Sequence, residues 1–456
     1  MSIGVTEQFC RALADITADT IPTDALAAAR RLVLDGFAVG VAGTRERAPR
    51  ILADHLREMG GADQATAINF GFRTSAVSAA YLNGAAMHVL DYEPMWNPPN
   101  HATSTTLAAV LAAGEMLGAD GHQMLVALIR GVEAQGRLRV ASRQYEPRSL
   151  TFHPPGVTGV IGSAIATGCL FGLDLAETRN AVGLAASRAG SLIGNIGTMA
   201  KSTHCGMAAA MGLDAALMAR RGFTANPDII EAPNGFAAGF FAANWNPDAL
   251  VVSGAPLRIV KPGYAVKMFP SQYATHFVIL AALDARAQIP SPRAINFVEI
   301  VGPIMPYVDR PRPTSGLDAK FSFQFAAACA LLDNAIGIDS FSDQRCASAD
   351  MLSMLAKVRF VQSSEIPASL DNMWVEIAVE LESGERITAK CAKPAGAWGA
   401  PISDEQHGIK VRNCLRTVFS EPQTEDLIET MSCFETLDPA AFRILMHRSG
   451  NFRTSH

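Results

Sequence analysis

The chain has 456 residues, of which 49% are hydrophobic, 7% aromatic and 18% charged. A typical charged fraction is about 25%, so this chain is too apolar and too poor in charge to be mainly disordered. Its 38 Lys+Arg and 43 Asp+Glu give a net charge of −5, which supplies no basic footprint for nucleic acid. The length is enough for about two to four domains, two being the simplest count.

Glu7, Arg11, Asp15 and Asp19 interrupt the first residues, so no signal-peptide core is read there. The eight cysteines are scattered and form no C-x-x-C pair. Neither a zinc knuckle nor a disulfide framework is expected, and the expected compartment is the reducing cytoplasm. The longest stretch free of Asp, Glu, Lys and Arg is Leu150–Leu173. Its His153, Pro154 and Pro155 make it read as a loop leading into a buried helix, not as a membrane span.

From residue 5 to about 255 the apolar spacing predicts helix after helix: Ala25–Gly40, Thr103–Leu117, Met124–Glu133, Val157–Phe171, Ala176–Gly194 and Gly206–Gly222. Several are apolar nearly all round, which suits the interior of a large helical domain. The texture changes near Pro256–Gly263. Ile295–Val301 and Lys357–Val361 read as strands, and Trp374–Leu381 with Arg386–Cys391 reads as a hairpin about Glu382-Ser-Gly-Glu385. Helices are expected at Tyr273–Ala287 and Phe321–Ala335, and residues 404–456 return to polar helix. The fold expected is mostly α: a large all-helical domain (1–261 and 401–456) plus a smaller α+β lid domain (262–400).

Five stretches hold more polar and ionisable residues than their surroundings require. The first is His88 to Glu93, with Asp91, followed by His101-Ala-Thr103, where Thr103 is a candidate helix cap. The second is Tyr145-Glu-Pro-Arg148 with His153-Pro-Pro; a residue before proline is held extended, a rigid place for a base. The third is Lys201-Ser-Thr-His204, whose two ionisable groups share a face if they open a helix. The fourth is Lys261 to Lys267 and Pro270, then Gln272, Tyr273 and His276. The fifth is Tyr307, Arg310, Arg312 and Lys320. The last two stretches place Lys, Arg and Tyr at the expected domain junction, where clefts commonly bind ligands. Such groups suit a small polycarboxylate, with His153, His101 and Asp91 as acid–base candidates. No phosphate loop, nucleophile elbow or H-E-x-x-H is present, so no motif requires a nucleotide, a zinc ion or a serine nucleophile.

These stretches resemble the MmgE/PrpD superfamily, whose members include 2-methylcitrate dehydratase, cis-aconitate decarboxylase and iminodisuccinate epimerase. The resemblance spans residues of about 5 to 450. It is carried by Gly197–Gly206 with Lys201 and His204, by His153-Pro-Pro-Gly, by Lys267-Met-Phe-Pro270 with His276, and by Ala319-Lys-Phe-Ser322. It implies a homodimer with a metal-free cleft that acts on di- or tricarboxylates. It puts Asp91, His101, His153, Lys201 and Lys267 in that cleft, and Tyr307 by a weaker match. The chain departs from the family where an acidic run reads Asp91-Tyr92-Glu93-Pro94-Met95, with Pro94 for an acid and Met95 for a hydroxyl residue.

The activity expected is that of a cofactor-independent lyase, most closely a 2-methylcitrate dehydratase-like hydro-lyase. The alternatives are a decarboxylase or epimerase on a related acid, and a non-catalytic polycarboxylate binder. Lys201, His204, Lys267, Tyr307, Arg310 and Lys320 are the expected substrate-binding groups, with Arg312 a further candidate. His153 or Asp91 is expected to take a proton, and His101 or Tyr145 to donate one. No cofactor, nucleic acid or membrane partner is expected.

Overall fold

In the computed structural model, residues 3–96, 98–145, 150–252 and 256–450 are described, and they are mostly α-helical. The expected helices form with shifted ends. Thr23–Gly43 and Ala102–Leu117 lie close to expectation, while Gly121–Ser142 runs well past residue 133. His101, not Thr103, takes the N-cap position of Ala102–Leu117, and Thr103 lies in its buried first turn.

The expected 176–194 helix is shorter, Leu175–Ala186. Asp174 and Glu177 cap its start reciprocally, but beyond it Gly190, Gly194 and Gly197 favour a loop. In that loop the Ser191 carbonyl accepts the His153 amide at 2.7 Å. The helix expected from residue 206 begins earlier, as Ala200–Arg220, so Lys201 and His204 sit in its first turns. The helices Arg47–Met59, Ala76–Val89 and Ala349–Leu355 were not among those named from the sequence, nor was the antiparallel hairpin Ala65–Ala67 with Phe72–Thr74. Strands of three residues are too short to show an alternating pattern.

Two helices position the centre of the molecule. Ala76–Val89 and Ala200–Arg220 cross so closely that a Cβ on Gly84 would lie 2.8 Å from the Gly206 Cα, and a Cβ on Gly206 would collide with the Tyr81 carbonyl. Glycine at both positions is what permits this approach. The crossing puts the C-terminal end of the first helix, and Asp91 just beyond it, beside the N-terminal turn that carries Lys201.

The buried apolar side chains form two large clusters. One joins the helices up to about residue 260 to Val411, Leu415, Leu427 and Phe442 of the last helices, Asp404–Leu415, Glu421–Ser432 and Pro439–Ser449, and to Phe434 between the last two. The other lies between residues 265 and 397 and also includes Met95. It packs around a four-stranded sheet in the order Val358–Ser363, Ile295–Pro303, Val375–Leu381, Arg386–Cys391. Ile295–Pro303 pairs parallel with Val358–Ser363 and antiparallel with Val375–Leu381. The expected hairpin closes with Val375 opposite Cys391.

The stretch that follows Ala76–Val89 is stitched to the second cluster. The Met95 amide donates to the Ala265 carbonyl at 3.0 Å, and the Ala265 amide returns a bond at 2.9 Å. Leu150–Leu173 contains the buried helix Pro154–Leu170. Among the described residues no helix is long and apolar enough to cross a membrane.

Candidate active site

A cavity of about 450 Å³ opens between the two apolar clusters, a size common for small-molecule sites. Asp91, His101, His153 and Lys201 reach it from the helical side, and Lys267, Tyr307 and Arg310 from the other. Each owes its place to a local device. Asp91 adopts φ +51° just past a helix end, a left-handed conformation that Asp tolerates better than most residues. His153 is the extended N-cap of Pro154–Leu170, with ψ 116°, as a residue before proline must be.

Asp91 is the electrostatic centre. Its Oδ2 accepts from Lys201 Nζ at 2.5 Å, its Oδ1 and its carbonyl accept from Lys267 Nζ, and His101 Nε2 lies 3.8 Å from Oδ1. Asp91, Lys201 and Lys267 are 3%, 6% and 0% exposed. Burial by itself raises the Asp91 carboxyl, but the Lys201 and Lys267 ammonium groups outweigh it and hold the group well below the usual range. Burial also lowers the Lys267 ammonium, with Asp91 acting against the shift.

Four imidazoles lie close together. The ring centroids of His88 and His101 are 4.7 Å apart, and those of His153 and His204 are 5.3 Å apart. Burial, then Lys201 and the neighbouring imidazoles, push His153 well below its ordinary value, which favours its neutral form. His204 is lowered to about 4 by burial and Lys201. It does not line the cavity, where substrate binding was expected of it. Instead its Nδ1 lies 3.2 Å from His153 Nδ1, a contact that couples the two rings, one Nδ1–H donating to the other Nδ1.

Beneath these rings, Glu93 Oε1 lies 2.5 Å from His88 Nδ1 and 3.2 Å from His101 Nδ1, and accepts from Ser104 Oγ at 3.0 Å. Burial raises the Glu93 carboxyl, and His88 and His101 more than reverse that, leaving it ionised. His88 is pushed down to about 4 by burial and then by Lys201, so its Nδ1–H is the donor to Glu93.

The remaining expected residues divide. Tyr307 lines the cavity, and its hydroxyl accepts from Gln272 at 3.4 Å. Arg310 lines it too, while paired with Asp318 and donating Nε–H to the Tyr307 carbonyl at 2.9 Å. Lys320 is buried beside this cavity, donating to the carbonyls of Pro270 at 3.2 Å and Leu90 at 3.4 Å. Burial lowers its ammonium to about 8.

Tyr145 stands apart. It is 46% exposed, its hydroxyl donates to the Val140 carbonyl at 2.8 Å, and it does not line the cavity. Arg148, in the same stretch, lies outside the described residues. Arg312 is exposed, and His276 is buried behind the lining residue Tyr273, against its ring and that of Phe269, and does not itself line the cavity. The apolar lining includes Met95, Ile193, Ile196, Phe321 and Leu370. Ile193, Ile196 and Leu370 were not expected there, because single apolar residues in loops carry no periodic signal.

His88, Glu93 and Cys205 each bring one potential metal-ligand atom within 4.8 Å of one another. Yet His88 Nδ1 and Glu93 Oε1 already share a hydrogen bond, and Glu93 also accepts from Ser104, so two of the three groups have partners within the protein and the trio reads as a hydrogen-bonding cluster.

The model of the MmgE/PrpD N-terminal domain matches residues 7–248, and that of the MmgE/PrpD C-terminal domain matches residues 269–436. Among curated relatives, the cis-aconitate decarboxylase of Mus musculus is 30% identical over 448 residues, spanning 95% of this chain and 91% of the relative. The Homo sapiens cis-aconitate decarboxylase is 29% identical over 447 residues, spanning 95% and 92%. That of Aspergillus terreus is 25% identical over 450 residues, spanning 93% and 92%. The paired matches and the full-length likeness, on a chain whose Asp91, His101, His153, Lys201 and Lys267 converge on one cavity, show that this protein belongs to the MmgE/PrpD family.

Proposed function

We propose that the protein is a lyase that decarboxylates cis-aconitate or a close tricarboxylate without a metal or cofactor. One observation carries the reading: the same cavity is lined by cations (Lys201, Lys267, Arg310), by a neutral His153 and by an apolar surface including Met95, Ile193 and Leu370. The likeness to cis-aconitate decarboxylases favours decarboxylation over the dehydration read from the sequence.

The chemistry fits those groups. In cis-aconitate one carboxylate sits on a saturated carbon next to the double bond. When its C–C bond breaks, CO2 leaves and the bond pair shifts the double bond by one position. Negative charge then collects on the far alkene carbon and spreads into that carbon's own carboxylate. A proton added there gives methylidenesuccinate. The sum is one proton taken up and one CO2 released.

Lys201 and Lys267 stabilise the charge that builds on the retained carboxylate. Apolar surroundings favour loss of the other carboxylate, whose charge disappears as CO2. His153 is neutral when the cavity is empty, because burial and nearby cations oppose its protonation. A bound polyanion offsets those cations, so His153 takes up a proton with the substrate and delivers it to carbon. His101 holds the alternative position for that donor. Asp91, held low by two ammonium groups, is a poor base, and we assign it the role of anchoring both lysines.

Incubation with cis-aconitate in D2O, followed by NMR, tests this. The expected result is CO2 release and one deuterium on carbon of methylidenesuccinate. Turnover of a hydroxy tricarboxylate with loss of water would favour the hydro-lyase. Deuterium exchange without CO2 release would favour an epimerase, and binding without turnover a polycarboxylate binder. We further propose a two-domain, cytoplasmic homodimer. The two apolar clusters support the division at about residues 262 and 400, and the exposed Leu192, Met199 and Met207 support an apolar interface.

A further inference from the structure

Three consecutive carbonyls, those of Leu90, Asp91 and Tyr92, each accept a hydrogen bond from a different buried lysine. Lys320 serves Leu90, Lys267 serves Asp91, and Lys410 serves Tyr92 at 3.0 Å. The first two lysines belong to the cavity and its surroundings, and Lys410 does not. It lies on the helix Asp404–Leu415, 318 positions from Tyr92 in the chain.

Lys410 is held as tightly as it holds. Its Nζ lies 2.9 Å from Asp35 Oδ1 and 2.8 Å from Oδ2, and it sits over the Tyr92 ring, 4.3 Å from the centroid. Asp35, on Thr23–Gly43, is fully buried, and its Oδ2 is also 3.0 Å from His407 Nε2. Tyr92 is tied at its other end, where its hydroxyl donates to the Met268 carbonyl at 3.1 Å, next to Lys267. A buried lysine with a single carboxylate partner is costly to desolvate, and this one spends a donor on a backbone carbonyl of the loop that carries Asp91 and Glu93.

We infer that Lys410, oriented by Asp35 and His407, is a positioning residue that sets the backbone at Tyr92 and thereby the placement of Asp91 and Glu93 in the cavity. The inference uses the decarboxylase reading only for its kinetic readout. Misplacement by about 1 Å can cost about 10²-fold in rate.

The test is the double variant Asp35→Asn/Lys410→Met. It removes both buried charges together, so the fold survives better than with either change alone, while Tyr92 loses its donor. The expected result is a Tm near that of the parent, kcat on cis-aconitate lower by about 10–10²-fold with KM within about threefold, and faster hydrogen exchange at the amides of Asp91 and Met95. Those amides bond His88 and Ala265 at 2.9 and 3.0 Å. A double variant with parental kcat and parental exchange at both amides would overturn the inference. If the parent does not turn over cis-aconitate, the decarboxylase reading fails by itself, and the exchange rates decide this point alone: faster supports it, unchanged overturns it. Should the double variant not fold, Asp35→Glu keeps both charges but moves the anchor of Lys410 by one methylene, and it is judged by the same outcomes.

Discussion

Lys201 Nζ lies 2.5 Å from Asp91 Oδ2, although 110 positions separate the two in the chain. Both are buried, and Lys267 shares the carboxylate. Asp91→Asn therefore leaves two ammonium groups without their counter-ion. We expect a loss of about 3–5 kcal/mol in unfolding free energy, the usual cost of breaking a buried pair, read by urea titration at pH 7. The native Asp91 carboxyl is held well below its ordinary value. Its contribution is complete above the unfolded value of about 4 and is lost as pH falls through the lower native one. A variant as stable as the parent at pH 7 would rule out the anchoring role.

His153→Ala tests the proton donor. With folding intact by circular dichroism, kcat on cis-aconitate is expected to fall by about 10²–10⁴-fold, the range for one general acid or base. A loss smaller than about tenfold would move the role to His101.

The buried imidazoles predict acid lability. His153 is held well below its ordinary value, His88 is lowered to about 4 and His276 to about 3, burial being the first cause of each. The unfolded chain protonates them near pH 6.5, so unfolding takes up protons below that pH. Stability is thus expected to fall as pH drops from about 6.5 towards 4, by roughly 1.4 kcal/mol per pH unit for each of these groups. Denaturant midpoints at pH 7, 6 and 5 measure it, and a midpoint that stays level over that window would contradict it.

Arg310→Gln separates binding from chemistry. Arg310 lines the cavity and is paired with Asp318, not with Asp91, and the proposed reading gives it a carboxylate of the substrate to hold. KM is expected to rise by about tenfold or more, as for the loss of a charged hydrogen bond, with kcat nearly unchanged. A fall in kcat at constant KM would instead put Arg310 in the transition state.

Chelation tests the reading of His88, Glu93 and Cys205 as a hydrogen-bonding trio. After exhaustive dialysis against EDTA, kcat/KM is expected to stay within about twofold of the untreated enzyme. A loss that added Zn2+ or Fe2+ restores would mean that the trio holds a cation.

Local patterns in the sequence carried much of this protein. The His153-Pro-Pro run fixed an extended N-cap because proline restricts the residue before it, and the three-residue spacing of Lys201 and His204 put them on adjacent turns. The hairpin about Ser383-Gly384 and the apolar helices were legible for the same reason, since backbone periodicity is a short-range property. The early end of Leu175–Ala186 and the hairpin at Ala65–Thr74 were not, because glycine spacing and three-residue strands give no period to read. The tertiary structure alone decided that Asp91 anchors two lysines, that Tyr145 bonds its own chain outside the cavity, that Leu370 joins the lining, and that Lys410 reaches Tyr92. Each depends on how distant segments cross, as where Gly84 and Gly206 let two helices approach, and contacts across such crossings leave no mark in the local order of residues.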